Sequence, residues 1–129
     1  MQTLRLPVLG LVLAASLVAC GSTSADGGSD PGVDPSDADV TVTSVDMAFA
    51  PVTVTAPAGE AFTLALVNED AMPHNVAIYT DASRSEKLFE GEMVTDGSVV
   101  YEIPALDAGE YFFDCSLHPN MTGTLVVGD

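Results

Sequence analysis

Leu106-Asp107-Ala108-Gly109-Glu110-Tyr111-Phe112-Phe113-Asp114-Cys115 reads as a turn followed by a strand. Pro104 to Gly109 supplies the turn, and Glu110 to Cys115 carries the aromatic residues that favour a pleated backbone. With a side-chain period of two, Tyr111, Phe113 and Cys115 share one face and Phe112 and Asp114 the other, so the thiol stands at the end of the buried face. The run from Leu106 to Tyr111 has the form of a tyrosine corner, in which the phenol hydroxyl bonds back to backbone a few residues upstream, and this is a mark of Greek-key wiring.

The same short alternation recurs outward from this strand. Val40 to Val45 and Val52 to Thr55 alternate, with Pro51 between them and Pro57-Ala58-Gly59 as the next turn. Phe62 to Val67, Asn75 to Tyr79, Val99 to Ile103 and Thr122 to Val127 read as further strands. Residues 81 to 98 are ambiguous: Ser83 to Phe89 fits a short helix or an irregular loop. About seven short strands with little helical periodicity predict an all-β fold, a two-sheet antiparallel Greek-key β-sandwich, in one domain over 40–129.

The strand runs into Cys115-Ser116-Leu117-His118-Pro119-Asn120-Met121, which sets a thiol, an imidazole and a thioether at three-residue intervals. A soft thiolate with imidazole and a weak thioether suits copper, and two imidazoles with one cysteine and a distant axial methionine form the blue-copper arrangement. The chain has two histidines, and the second is His74, in Met72-Pro73-His74-Asn75. Zinc competes for cysteine and histidine, but it ordinarily takes four strong ligands and no thioether.

Upstream, residues 1–19 read as an export signal, with Arg5 in a short positive start and an apolar run from Leu6 to Val18. The run is too short to span a membrane comfortably, since a transmembrane helix needs roughly 20 apolar residues. Leu17-Val18-Ala19-Cys20 resembles a bacterial lipobox, which implies that Cys20 is lipidated and becomes the first residue of the mature chain. Export would otherwise suggest a disulfide between two cysteines; lipidation of Cys20 leaves Cys115 as a lone thiol, and metal ligation is a reason to keep one. Residues 20–39 then read as a flexible, acidic Gly/Ser/Asp linker with about 25 Å of reach.

Lys plus Arg number 3 against 19 Asp plus Glu, for a net charge of −16. Such a balance excludes a nucleic-acid surface, which needs clustered cations, and favours cationic partner surfaces.

With these residues in view, 40–129 resembles a cupredoxin of the plastocyanin and amicyanin kind. The resemblance rests on Asn-x-Asp-x-x-Pro-His-Asn over 68–75, Ala-Gly-x-Tyr-x-Phe-x-Cys over 108–115 and His-Pro-x-Met-x-Gly-x-Leu over 118–125. It implies one type 1 copper held strongly by His74, Cys115 and His118, with Met121 axial. It also implies that Asn75 ties the two ligand loops together. The two-residue gaps around His118 are the spacing of amicyanins.

The implied activity is single-electron transfer between extracytoplasmic redox partners, such as cytochromes or a membrane oxidase or reductase, by a lipid-anchored monomer. Catalysis is not expected, because the protein fills the coordination sphere and no histidine remains as a base. His118 is the expected electron exit, ringed by Met72, Pro73, Leu117 and Pro119 as the docking surface. The residue before the copper cysteine, aromatic in plastocyanins and part of a second route, is Asp114 here. The alternative reading is a protein that buffers or delivers copper outside the cytoplasm.

Overall fold

The computed structural model describes residues 34–129. The export signal, Cys20 and most of the linker fall on residues 1–33 and lie outside the described residues. The last part of the predicted linker is ordered on the domain. Pro35–Asp37 form a 3-10 turn capped by the Asp34 side chain, which accepts from the Ser36 amide at 2.9 Å. Asp39 is pinned to Thr63, whose amide and hydroxyl both donate to Asp39 Oδ2 at 2.8 and 2.9 Å. Two short carboxylates placed next to free amides thus extend the folded unit beyond the first apolar alternation.

Nine strands follow: β1 Val40–Val45, β2 Ala48–Ala50, β3 Thr53–Pro57, β4 Phe62–Asn68, β5 Ala77–Tyr79, β6 Lys87–Glu90, β7 Gly97–Ile103, β8 Gly109–Cys115 and β9 His118–Gly128. They make two sheets, ordered β2-β1-β4-β7 and β3-β9-β8-β5-β6. The two-sheet β-sandwich expected from the alternation is the fold, and both sheets are mixed. β1 pairs parallel with β4, and β3 parallel with β9, because the chain switches sheets between β2 and β3.

β2 has no signal in the sequence beyond three residues before Pro51. It forms because Asp46 and Met47, with φ of 52° and 61°, close a two-residue turn with both residues left-handed, and its twist suits a hairpin. Residues 81 to 98 hold neither the short helix nor a wholly irregular loop. A tight turn over Asp81 to Arg84 leads into β6, which pairs with β5.

The core lies between the sheets, where Val42, Leu64, Leu66, Ile78, Phe113 and Leu125 are almost fully buried. Burying each such side chain contributes about 1.5–3 kcal/mol. Aromatic pairs bridge the layers: Phe49 on β2 meets Phe113 on β8 at 5.3 Å between ring centres, and Phe89 on β6 meets Tyr101 on β7 at 5.5 Å. Gly123 on β9 stands directly opposite Phe113, and a Cβ there would lie 2.2 Å from the ring. The Tyr111 hydroxyl donates to the Asp107 carbonyl at 2.8 Å, so the tyrosine corner predicted from the Leu106 run is present. It braces the start of β8, whose other end carries Cys115.

Candidate metal centre

β8 and β9 are joined by the two residues Ser116 and Leu117, and Cys115 pairs with His118 across the hairpin after a register shift at Asp114 and Cys115. This brings the thiol and one imidazole together by local geometry alone. His74 arrives from the other side, where its backbone exchanges hydrogen bonds with Val94, at 3.0 and 2.9 Å. The three donors converge: Cys115 Sγ lies 3.4 Å from His118 Nδ1 and 3.8 Å from His74 Nδ1, and the two Nδ1 atoms are 3.2 Å apart. His74 and Cys115 are fully buried, Met121 is buried on β9, and His118 is partly exposed.

Asp70 sets the ring of His74. Its Oδ2 lies 2.9 Å from His74 Nε2, and its two oxygens also accept the amides of Asp46 and Met47 at 2.8 and 3.1 Å. Burial pushes the Asp70 carboxyl up, but the hydrogen bonds from the Met47 amide, His74 and the Asp46 amide outweigh it and hold the group below the usual carboxylate range. An ionised carboxylate only accepts, so Nε2 is the ring nitrogen that donates to Asp70, and Nδ1 is the one turned toward the thiol. A carboxylate behind a ligand histidine fixes its tautomer and orientation. The signal for this role was in the sequence, an aspartate four residues before His74, but its link to the β1–β2 turn was not.

Asn75 joins the two halves of the site. Its Oδ1 accepts the Ser116 amide at 2.9 Å, and its Nδ2 donates to the Gly91 carbonyl at 2.9 Å and to Ser116 Oγ at 3.2 Å. Asn68, at the end of β4, takes the Ser44 hydroxyl at 2.9 Å and donates to the carbonyls of Met72 and Val94, both at 2.8 Å. These two asparagines hold the segment that carries His74.

Around His118 the surface is apolar. Met72 and Leu117 are 49% and 54% exposed, Pro119 is exposed and Pro73 is partly buried. Met47, which the sequence did not single out, is 44% exposed and joins Leu117, His118, Pro119, Asn120 and Met121 around a shallow cavity of about 310 Å³. Asp114 is not an outward residue: it is buried and pairs with Arg84.

Chemically, two imidazole nitrogens and a sulfur that face one another, with a buried thioether on the same hairpin, are a donor set suited to a soft cation. Among the described residues His74, Cys115 and His118 form a group whose ligand atoms all lie within 4.8 Å of one another. The set fits one type 1 copper better than zinc, which would want a fourth strong donor.

The comparisons with known proteins agree. The sequence matches the model of the family described as Cupredoxin-like domain over residues 10–127. It is 38% identical over 91 residues to amicyanin of Paracoccus versutus, an alignment that takes in 70% of this chain and 66% of that protein, just under two thirds of its length. The crystal structure of amicyanin from Paracoccus versutus superposes with a TM-score of 0.56 at 39% identity, covering 73% of this chain and 84% of that one. Auracyanin of Roseiflexus castenholzii superposes with a TM-score of 0.61 at 20% identity, covering 70% and 96%, a likeness of fold. A sandwich that gathers two histidines and a cysteine at one end, with these relatives, makes the chain a member of the cupredoxin family.

Proposed function

We propose that this protein is a blue copper electron carrier. His74, Cys115 and His118 would hold the copper as strong donors, with the Met121 thioether as the weak one. When bound, copper supplies a one-electron couple between Cu(II) and Cu(I). The observation that carries the reading is the convergence of Cys115 Sγ and the two Nδ1 atoms within a few ångströms, beside a partly exposed His118 in an apolar surface.

The protein's own contribution is to hold the donors still. Asp70 orients His74, Asn75 ties the loop after Cys115 to the segment of His74, and the hairpin fixes Cys115 against His118. A site that is already in place rearranges little when its charge changes, which is what fast electron exchange needs. His118, the partly exposed member of the set, would give the electron its way out. Met72, Pro73, Leu117 and Pro119, with Met47, form the docking surface, and small apolar patches suit brief redox encounters. The partners are redox proteins such as cytochromes or a membrane oxidase or reductase. The chain is not an enzyme and works as a monomer.

The lipobox-like Leu17 to Cys20 run and the export signal before it support a lipid anchor at Cys20 and a place on the extracytoplasmic face of a membrane. Several acyl chains on one cysteine hold a protein stably, whereas one does not.

The test is to load the purified chain with Cu(II). An intense blue absorption and reversible reduction without metal loss are the expected results. A colourless complex overturns the type 1 site, and copper released on reduction moves the function to copper buffering or delivery.

A further inference from the structure

Arg84 ends the Asp81 turn with φ of 57°, a left-handed backbone that glycine or asparagine adopts at lower cost. An arginine kept in such a position is explained by what its side chain reaches. Its Nε donates to Asp114 Oδ2, an Nη donates to the Pro119 carbonyl at 2.8 Å, and its Cζ sits 4.9 Å above the ring of Phe112. Asp114 immediately precedes Cys115, and Pro119 immediately follows His118. One guanidinium therefore grips the chain on both sides of the ligand hairpin.

The Asp114 side chain is 3% exposed and its Oδ1 has no hydrogen-bond partner, so Arg84 is the group that compensates a buried carboxylate. A lysine would not do the same, because a compact ammonium lacks the planar fork that meets two acceptors at once. Nor is this a general surface pairing: the whole chain has only 3 Lys plus Arg among 19 acidic residues.

The geometry points to Arg84 as a positioning residue of the copper site, a clasp that joins Asp114 to Pro119 and holds the Cys115–Met121 loop in its ligand geometry. The inference rests on the copper reading above. It assigns to an arginine outside the ligand set the task of keeping His118 and Met121 from shifting as the charge of the site changes. The Phe112 ring beneath the guanidinium adds a cation–π contact that supports the side chain in this position.

The experiment uses the full chain as wild type, R84K, R84Q and the double variant R84Q/D114N, each loaded with copper. Three quantities are measured: the reduction potential, the electron self-exchange rate, and, in the metal-free proteins, amide hydrogen exchange over Ser116 to Met121 against that of β4. The expected result is that all stay blue while R84K and R84Q shift in potential, self-exchange several-fold more slowly, and exchange the loop amides faster with β4 unchanged. Wild-type behaviour of R84K overturns the clasp, because charge alone then suffices. R84Q leaves a buried charge unpaired, and if it does not fold, the double variant decides. Slowed self-exchange and faster loop amides in the double variant support the clasp, and wild-type values overturn it. A wild type that takes up no copper sinks the copper reading itself, and loop exchange in the metal-free variants still decides the clasp.

Discussion

Asn75 and Ser116 share two hydrogen bonds across the metal centre: the Ser116 amide donates to Asn75 Oδ1 at 2.9 Å, and Asn75 Nδ2 donates to Ser116 Oγ at 3.2 Å. The same Nδ2 reaches the Gly91 carbonyl, and Ser116 Oγ passes its proton on to Glu90 at 2.8 Å. A buried amide side chain thus links the residue after His74 to the residue after Cys115. Asn75→Ala leaves the Ser116 amide and the Gly91 carbonyl without these partners, and we expect a loss of about 1–3 kcal/mol. Denaturant unfolding of the metal-free chain measures it, and an unchanged midpoint contradicts it.

Asp70→Asn replaces an acceptor-only group by one that also donates, which removes the demand that His74 hold its proton on Nε2. Loss of such a partner typically costs about 10–100-fold in metal affinity. A competition titration with a chelator should find copper bound that much more weakly. Wild-type affinity would show that the ring is oriented by its backbone bridge to Val94 alone.

Leu117→Asp adds charge to the proposed docking surface without replacing a ligand. The blue absorption should persist while electron exchange with a cytochrome slows by about tenfold or more, within the range that interface substitutions produce in association. Stopped-flow mixing reads the rate, and an unchanged rate removes this surface from the electron route.

Gly123→Ala should destabilise the fold by about 1–3 kcal/mol, since the added methyl meets the Phe113 ring and the ring has Phe49 behind it. Thermal unfolding of the metal-free chain tests this. Stability equal to wild type would mean that the ring swings away freely.

Tyr101 gives the alkaline limb of stability. Burial, the largest influence, raises its phenol well above the ordinary tyrosine value, and the hydroxyl donates to the Glu92 carbonyl at 2.7 Å. The folded-state pKa is the higher one, so the contribution is complete below the unfolded value of about 10 and is lost as pH rises above it. Tyr101→Phe should be less stable at neutral pH by about 1 kcal/mol, yet hold its stability more level above pH 10. Unfolding curves across that range decide; parallel losses in both proteins contradict the assignment.

How far the sequence carried the fold and site can be read from individual residues. The order and spacing of Cys115, His118 and Met121 were legible because a hairpin converts three-residue spacing directly into proximity. His74 was legible as the second imidazole, and Tyr111 because its corner is a local motif. The start of β9 was placed too late, at Thr122. Pro119 looks like a break, but it sits beside the register shift, where its missing amide is not needed.

What stayed hidden depends on distant partners. The Asp46 turn lacks the usual asparagine-glycine signature and is held by Asp70 instead, 24 residues on. Arg84 reads as one charge in an ambiguous loop, and its meaning lies 30 residues away at Asp114. Parallel pairing of β1 with β4 likewise has no local signature.

The bond between Asp39 and Thr63 fixes where the polypeptide enters the sandwich. Thr63 stands at one end of β4, and Asn68, which holds Met72 and Val94 beside the metal centre, at the other. Five residues of extended strand put about 16 Å between them. The two poles of the domain are therefore distinct, with entry of the chain at one and the metal centre at the other. With the anchor proposed at Cys20, a tether would hold the pole remote from His118 and leave the His118 cap clear to meet partners.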